Sequence, residues 1–471
     1  MTLINSVLKN NINVRKSFLN FIFFLLSIII VVAIWPRVSG DSWLMIPGRL
    51  IIVSSCYLIL YLFLSHFRSE VLKVTRKTLF IIIIILSFII LTRLVLVYPD
   101  LNLLFLVPFA IIPIVIRTFY DARLALFILL ITIMLAGFIV QDSLEFVFMS
   151  FISGMVAIYT LTNIYRRAKL FFTALMVVIS YSILYIGVHL MKYGNLDNVI
   201  SSGFLMFACN GLLVLISYPL IFIFEKKFLF LSDTTLLELA DTNQPLLRKL
   251  AEEAPGSFQH SLQVANLAEE AARITGANLL LVRTGALYHD IGKIGSPDYY
   301  IENQKEGISP HDNLKPQDSV KVIINHVKCG VVLAKNFKVP IQIIDFIRTH
   351  HGTTIAYYFF KKYTDQQPWD TSKEKEFAYP GPKPFSKETA IVMMADAVEA
   401  SSRSLEKHTE ENISELVERI LYLQEQDGQF SDVPLTFKDI SDIKSAFKKR
   451  LSTIYHLRIA YPERDFLPPS P

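Results

Sequence analysis

The sequence predicts an all-α protein in which a polytopic helical membrane domain is followed by a helical cytoplasmic domain. Three observations carry this. Apolar runs of spanning length crowd into the first 225 residues, apolar residues recur every three or four positions through most of the remainder, and strand-like alternation is scarce. Composition agrees: of 471 residues, 52% are hydrophobic and only 18% charged, with a mean hydropathy of +0.44, whereas ordinary soluble domains carry roughly 25% charged residues.

A helix needs about 20 mostly apolar residues to cross a bilayer. Eight stretches qualify, near 17–36, 46–66, 78–97, 101–117, 122–141, 144–163, 170–190 and 201–225. Basic residues collect in alternate connections: Lys9, Arg15 and Lys16 before the first stretch, then Arg68, Lys73, Arg76 and Lys77, then Arg117 and Arg123, then Arg166, Arg167 and Lys169, and finally Lys226 and Lys227. The opposite loops offer little beyond Arg37, Arg49 and Lys192. By the positive-inside rule the N-terminus and everything after residue 226 face the cytoplasm of a multi-pass protein in the cytoplasmic membrane. The first stretch reads as an anchor, because its apolar run is long for a signal peptide, although Val38-Ser39-Gly40 would allow cleavage. Arg93, Glu145 and His189 sit near span ends, where snorkelling to the interface explains them without an ion pathway.

The net charge of +5 divides unevenly: residues 1–225 carry +8 and residues 226–471 carry −3. The soluble half therefore lacks the basic surplus that a long nucleic-acid backbone demands. Cys56, Cys209 and Cys329 lie far apart, so neither a disulfide framework nor a thiolate zinc site is indicated.

The expected organisation is a cytoplasmic N-terminus (1–16), a first span (17–36), a seven-span block (46–225), a linker helix (226–255) broken near Asn243-Gln244-Pro245, a catalytic domain (256–463) and a C-terminal tail (464–471). Helical spacing covers 257–275, 278–290, 318–336, 340–350, 386–405, 409–425 and 436–455, with loops at 292–317 and 362–385.

Histidine placement carries the chemistry. Eight of the ten histidines fall in the second half. His260 comes first, then His289-Asp290 followed by Gly292-Lys293, then His326, then His350-His351-Gly352, and later Asp396. Imidazole and carboxylate without thiolate suit borderline metals such as Fe, Mn or Zn. Seven such side chains exceed the needs of one ion and match two ions about 3.5–4 Å apart, which activate a water and clamp the attacking and leaving oxygens of a phosphoryl displacement. Individually each has an ordinary reading: His260 as a hydrogen-bonded core histidine, Asp396 as a satisfied helix residue, His350-His351 as favourable charge at a helix C-terminus, and Lys293 as a surface salt bridge.

The order resembles the HD superfamily of metal-dependent phosphohydrolases, and His350-His351-Gly352-Thr353 with the added His326 is similar to its two-metal branch. More narrowly, Leu236-Leu237-Glu238-Leu239, Glu253-Ala254-Pro255-Gly256, Gly285 to Lys293, Ile301-Glu302-Asn303-Gln304, Pro310-His311-Asp312, Gly381-Pro382-Lys383-Pro384, Lys387-Glu388 and Ala395 to Ala400 resemble the seven-transmembrane HD family, whose characterised members hydrolyse cyclic di-AMP. The resemblance implies that His260, His289, Asp290 and Asp396 hold one metal, and that Asp290, His326, His350 and His351 hold the other, with Asp290 as the bridge. It implies that Lys293 reaches towards a phosphate and that Asn303, Pro310 and His311 lie near the nucleotide. Relatives carry a large extracellular domain after the first span, where this chain has about ten residues, 36–45. Gln259 and Thr349 also depart from the family pattern, at positions that are not ligands.

The expectation is a membrane-anchored phosphodiesterase with two divalent ions, Mn or Fe, that opens cyclic di-AMP to linear pApA, with catalysis centred on Asp290 and Lys293. Its partners are the nucleotide and the bilayer; a homo-oligomer is left open. The alternatives are a cyclic di-GMP or other nucleotide phosphohydrolase, disfavoured for cyclic di-GMP by the missing Gly-Tyr-Pro motif, or a silent nucleotide-binding membrane receptor.

Overall fold

A computed structural model describes residues 2–36, 42–97, 103–161, 167–196, 201–304, 309–365 and 371–455. Arg37, Val38-Ser39-Gly40, Arg166 and the expected tail at 464–471 lie outside these residues, as does half of the short 36–45 connection. Among the described residues the structure is helical, with one isolated antiparallel bridge between Ile355 and Ala378. The chain divides into two compact units, Met1–Thr234 and Thr235–Pro471.

In the first unit, six helices are long and apolar enough to cross a membrane: Arg15–Ile34, Met45–Phe67, Thr75–Val95, Ser143–Thr160, Ala168–Tyr193 and Ser202–Phe228. The remaining two apolar stretches form shorter helices, Leu103–Phe119 and Ala122–Gly137. In the first of these, a 3-10 turn at Leu103–Leu106 is separated from the α-helix Ile111–Phe119 by Val107 to Ala110, with Pro108 between them. The break is tolerated because Asn210 donates its side-chain amide to the carbonyls of Phe105 (2.8 Å) and Val107 (3.1 Å), and irregular backbone at membrane depth needs such internal partners. Residues Ile111 to Ile116 are all buried, so neighbouring helices enclose this segment. Outward-facing Phe21, Ile51, Leu58, Ile183 and Leu212 give the unit an apolar exterior.

The second unit begins with two short helices, the second of which, Pro245–Glu253, has proline at its first turn and buries Leu246, Leu247 and Leu250. The central helix Pro255–Thr275 packs against Leu279–Tyr288, Lys387–Ser402 and Phe437–Tyr455. Its buried Val264, Ala265, Ala268, Ala271 and Ala272 form a small-residue face that lets those neighbours approach closely. Lys387–Ser402 starts with a capping box: Ser386 Oγ accepts from the Thr389 N–H at 3.2 Å and Thr389 Oγ1 accepts from the Ser386 N–H at 3.1 Å.

Two helices of the second unit escaped the periodicity reading, the single turn Thr371–Glu374 inside the expected loop 362–385 and the longer Tyr357–Thr364. Its run Tyr-Tyr-Phe-Phe is aromatic and only eight residues long, and it is held by tertiary packing of Phe359, Phe360 and Tyr363 against Val320 and Phe377.

Candidate active site

The seven histidines and aspartates come from five separate places in the second unit. His260 projects from Pro255–Thr275 and Asp396 from Lys387–Ser402; His289 caps Leu279–Tyr288 and Asp290 follows it; His326 lies on Pro316–Asn336; His350 and His351 follow Ile341–Thr349. All are buried except His351, which is partly open.

Local sequence explains how they meet. After Asp290 the chain tightens into a 3-10 turn, Ile291–Gly295, that lies directly on the helix bearing His326. A Cβ at Gly292 would sit 1.8 Å from the His326 carbonyl oxygen and 2.6 Å from the Gly330 nitrogen, so only glycine allows this approach. Gly352, at φ +53°, turns the chain away after His351, and a Cβ there would lie 2.4 Å from Gln429 Oε1.

Asp290 stands at the centre. Its Oδ2 lies 3.2 Å from His289 Nε2 and 3.6 Å from His260 Nε2, while its Oδ1 lies 3.4 Å from His326 Nε2 and 3.6 Å from His350 Nε2. Asp396 Oδ1 is 2.9 Å from His260 Nε2 and 3.7 Å from His289 Nε2, and its Oδ2 is 3.7 Å from His351 Nδ1. His326, His350 and His351 present ligand atoms within 4.8 Å of one another, and so do His260, His289 and Asp396. His289 Nε2 and Asp290 Oδ1 are buried without a hydrogen-bond partner among the described residues, which is costly for polar atoms unless a cation takes them up. The donor set therefore fits divalent metal.

The electrostatics differ across the centre. Burial opposes charge on His289, but Asp290 and Asp396 outweigh it and push its pKa up to about 10. His260 is also raised, its burial outweighed by hydrogen bonds to Asp396 and Glu399. Burial lowers His326, lowers His350 further with help from His351 and His289, and brings His351 down to about 3. Asp290 and Asp396 lie well below the carboxylate range: burial would raise them, and the facing histidines, with Lys293 for Asp290, prevail. The imidazoles beside Asp396 are thus held toward the protonated form, and those of His326, His350 and His351 toward the neutral form in which a metal is bound.

Lys293 is largely enclosed, with 12% of its side chain exposed: its Nζ lies 2.7 Å from Asp290 Oδ2 and 2.8 Å from Glu302 Oε1. Glu302 also accepts from Ser257 Oγ at 2.7 Å. Lys293, His260, His350, His351 and Asp396 open onto a cavity of about 730 Å³ that Ile355, Tyr379, Met393, Arg403 and Gln424 help to line. The structure does not bring Asn303, Pro310 or His311 to its wall. Asn303 pins the start of the central helix, accepting from the Ser257 N–H at 3.1 Å, and buried His311 packs on Phe359 with Nε2 2.9 Å from the Tyr299 carbonyl. Pro310 opens a 3-10 turn.

Sequence reasoning gave no role to Glu399, Glu302 or Tyr379. Glu399 Oε2 lies 2.5 Å from His260 Nδ1, and the Tyr379 ring lies tilted by 31° against His351 with ring centroids 4.1 Å apart. The spacing of Asp396 and Glu399, three apart on one helix, was the signal that both face the same way.

Residues 43–232 match the family described as a 7TM receptor with intracellular HD hydrolase, and residues 257–401 match the HD domain. The chain is 46% identical over 240 residues to the cyclic-di-AMP phosphodiesterase PgpH of Bacillus subtilis, covering 51% of this chain and 34% of that one. It is 35% identical over 367 residues to PgpH of Listeria monocytogenes, covering 77% and 51%. It thus spans between a third and about half of the length of these relatives. A crystal structure of the L. monocytogenes PgpH HD domain in complex with cyclic-di-AMP is 43% identical and covers 46% of this chain and all of that one, at a TM-score of 0.44. By the family matches, residues 43–232 are the membrane region of the 7TM receptor family with an intracellular HD hydrolase and residues 257–401 are an HD domain, in a multi-pass membrane protein.

Proposed function

We propose that this chain is a phosphodiesterase of the cytoplasmic membrane that hydrolyses cyclic di-AMP to linear pApA through a centre of two divalent ions, Mn or Fe. One observation carries the reading: the two oxygens of Asp290 face different histidine sets, His260 with His289 and His326 with His350, as a carboxylate bridging two ions requires. The names of the 46% and 35% identical relatives supply the substrate.

His260, His289, Asp290 and Asp396 would hold one ion, and Asp290, His326, His350 and His351 the other. When bound, the metal pair supplies Lewis acidity, which makes a water acidic near neutral pH and offsets charge on the phosphoryl oxygens. The protein's own part is positioning. Asp290 is fixed between the two histidine sets by the turn at Gly292. Lys293 keeps a largely enclosed positive charge at the cavity wall, aligned by Glu302, where a phosphate's non-bridging oxygens gain from a fixed cation. The apolar side chains Ile355 and Met393, with Tyr379, border the same cavity and suit the faces of a nucleobase. Asn303 acts on this site indirectly, by tying Ser257 and the central helix to the turn that carries Glu302.

The test uses the full chain in detergent, stripped of metal and reloaded with Mn²⁺ or Fe²⁺, with cyclic di-AMP and cyclic di-GMP compared. Preferential cleavage of cyclic di-AMP is expected, with loss on the order of 10³-fold or more in Asp290→Ala. Metal uptake without turnover of either nucleotide would instead make the chain a receptor.

A further inference from the structure

The five histidines of the centre are not backed alike. His289, His326 and His350 point Nδ1 at backbone carbonyls three residues earlier, Ala286 (2.6 Å), Ile323 (2.6 Å) and Ile347 (3.0 Å). His260 points Nδ1 at a carboxylate, Glu399 Oε2, at 2.5 Å. The second oxygen of Glu399 accepts from Arg403 Nε at 2.8 Å and Nη2 at 2.6 Å, so the carboxylate is clamped from behind. Glu399 is 5% exposed, and its helix also carries Asp396.

We propose that the centre is unequal: the half built on His260, His289 and Asp396 binds its ion more tightly than the half built on His326, His350 and His351, and Glu399 is the positioning residue behind the difference. The inference rests on the metal reading given above. A carboxylate behind an imidazole N–H fixes the tautomer that leaves Nε2 as donor and raises its basicity, an effect worth about 10–100-fold in metal affinity. The same half holds Asp396 Oδ1 against His260 and His289, whereas the other half has three imidazoles and its share of Asp290, with Asp396 Oδ2 approaching His351 at 3.7 Å. Lys293 lies on the tighter side, 2.7 Å from Asp290 Oδ2, but Glu302 at 2.8 Å offsets its charge. His351, the one partly open member, lies in the looser half, on the cavity. The looser ion is therefore the one that exchanges while the tighter one stays.

Calorimetric titration of the metal-free full chain in detergent with Mn²⁺ tests this, with dialysis and elemental analysis for stoichiometry. Two steps are expected. Glu399→Gln, close in shape to the native residue, should weaken the tighter step by about 10–100-fold and leave the looser step unchanged. His326→Ala should remove the looser step alone, which keeps the test decisive if Glu399→Gln melts early without metal. Unchanged binding in Glu399→Gln, a shift confined to its looser step, or loss of the tighter step in His326→Ala would overturn the inequality while leaving the metal centre standing. Absence of Mn²⁺ uptake by the unaltered chain would overturn the metal reading itself, and this inference with it.

Discussion

In the membrane unit the buried polar groups are, apart from His189, neutral hydroxyl and amide side chains: Thr92 and Thr132 donate to the carbonyls of Phe88 (2.8 Å) and Ile128 (2.7 Å), and Asn210 to the broken backbone at Phe105 and Val107. In the HD unit the buried polar groups are largely titratable: His260, His289, Asp290, His326, His350, Asp396 and Glu399. Both units are all-helical, and each buries polar atoms at a cost. The membrane unit recovers that cost partly within four residues, as at Thr92 and Thr132, and partly between helices, as where Asn20 donates to the Leu72 carbonyl at 2.7 Å. The HD unit recovers it partly at carbonyls three residues earlier, as for His289, His326 and His350, and partly between distant helices, as for His260, and it gathers His289 Nε2 and Asp290 Oδ1, which have no hydrogen-bond partner among the described residues, at one centre. Single unpartnered atoms occur in both units, Thr173 Oγ1 and Ser217 Oγ among them, whereas titratable groups that converge on one centre and include unpartnered atoms mark a site that expects a ligand.

Three substitutions would break or sharpen this contrast. The largest effect is expected from Lys293→Met, which removes the enclosed cation at the cavity. Turnover of cyclic di-AMP should fall by about 10²–10³-fold while metal content persists. A change of less than tenfold in steady-state assays would reduce Lys293 to an ion-pair partner of Glu302. Next comes Gly292→Ala, whose Cβ must push the turn away from the His326 carbonyl. Denaturant titration of the full chain in detergent should record a loss of about 1–3 kcal/mol, accompanied by weaker metal binding. Full stability and metal content would mean that the turn does not fix Asp290. The smallest effect is expected in the membrane unit, where Asn210→Leu leaves two carbonyls without their amide. Helix-to-helix hydrogen bonds in membranes are worth about 0.6 kcal/mol on average and reach about 1.7, so the loss should fall in that range and turnover should persist. A collapse of activity in Asn210→Leu would show that the membrane unit's polar contacts are functional after all.

Much of the site was legible in the order of residue types. Histidine beside aspartate, a paired histidine before glycine and a later buried aspartate are rare in a helical chain, because few structural needs call for them together. The stretches at 101–117 and 122–141 were legible as apolar, but not as short: hydropathy records the side chains, while the length of a helix here depends on Pro108 and on Asn210 reaching it from about 100 residues away. Glu399 was unreadable as a partner of His260 for the same reason, since 139 residues separate them and a glutamate on a helix reads as a solvated charge. Asn303 and His311, placed near the nucleotide by resemblance, are occupied in hydrogen bonds that only the folded loop reveals.

By itself the sequence determined the helical class, the membrane half and the kinds of atoms at the centre, because apolar run length, helical spacing and ligand type are properties of neighbouring residues. Tertiary structure alone decided which oxygen of Asp290 faces which histidines, that Lys293 is enclosed against Glu302, and that His260 is the histidine with a carboxylate behind it. Most of those relations join elements far apart in the chain, and they exist only once packing brings the elements together.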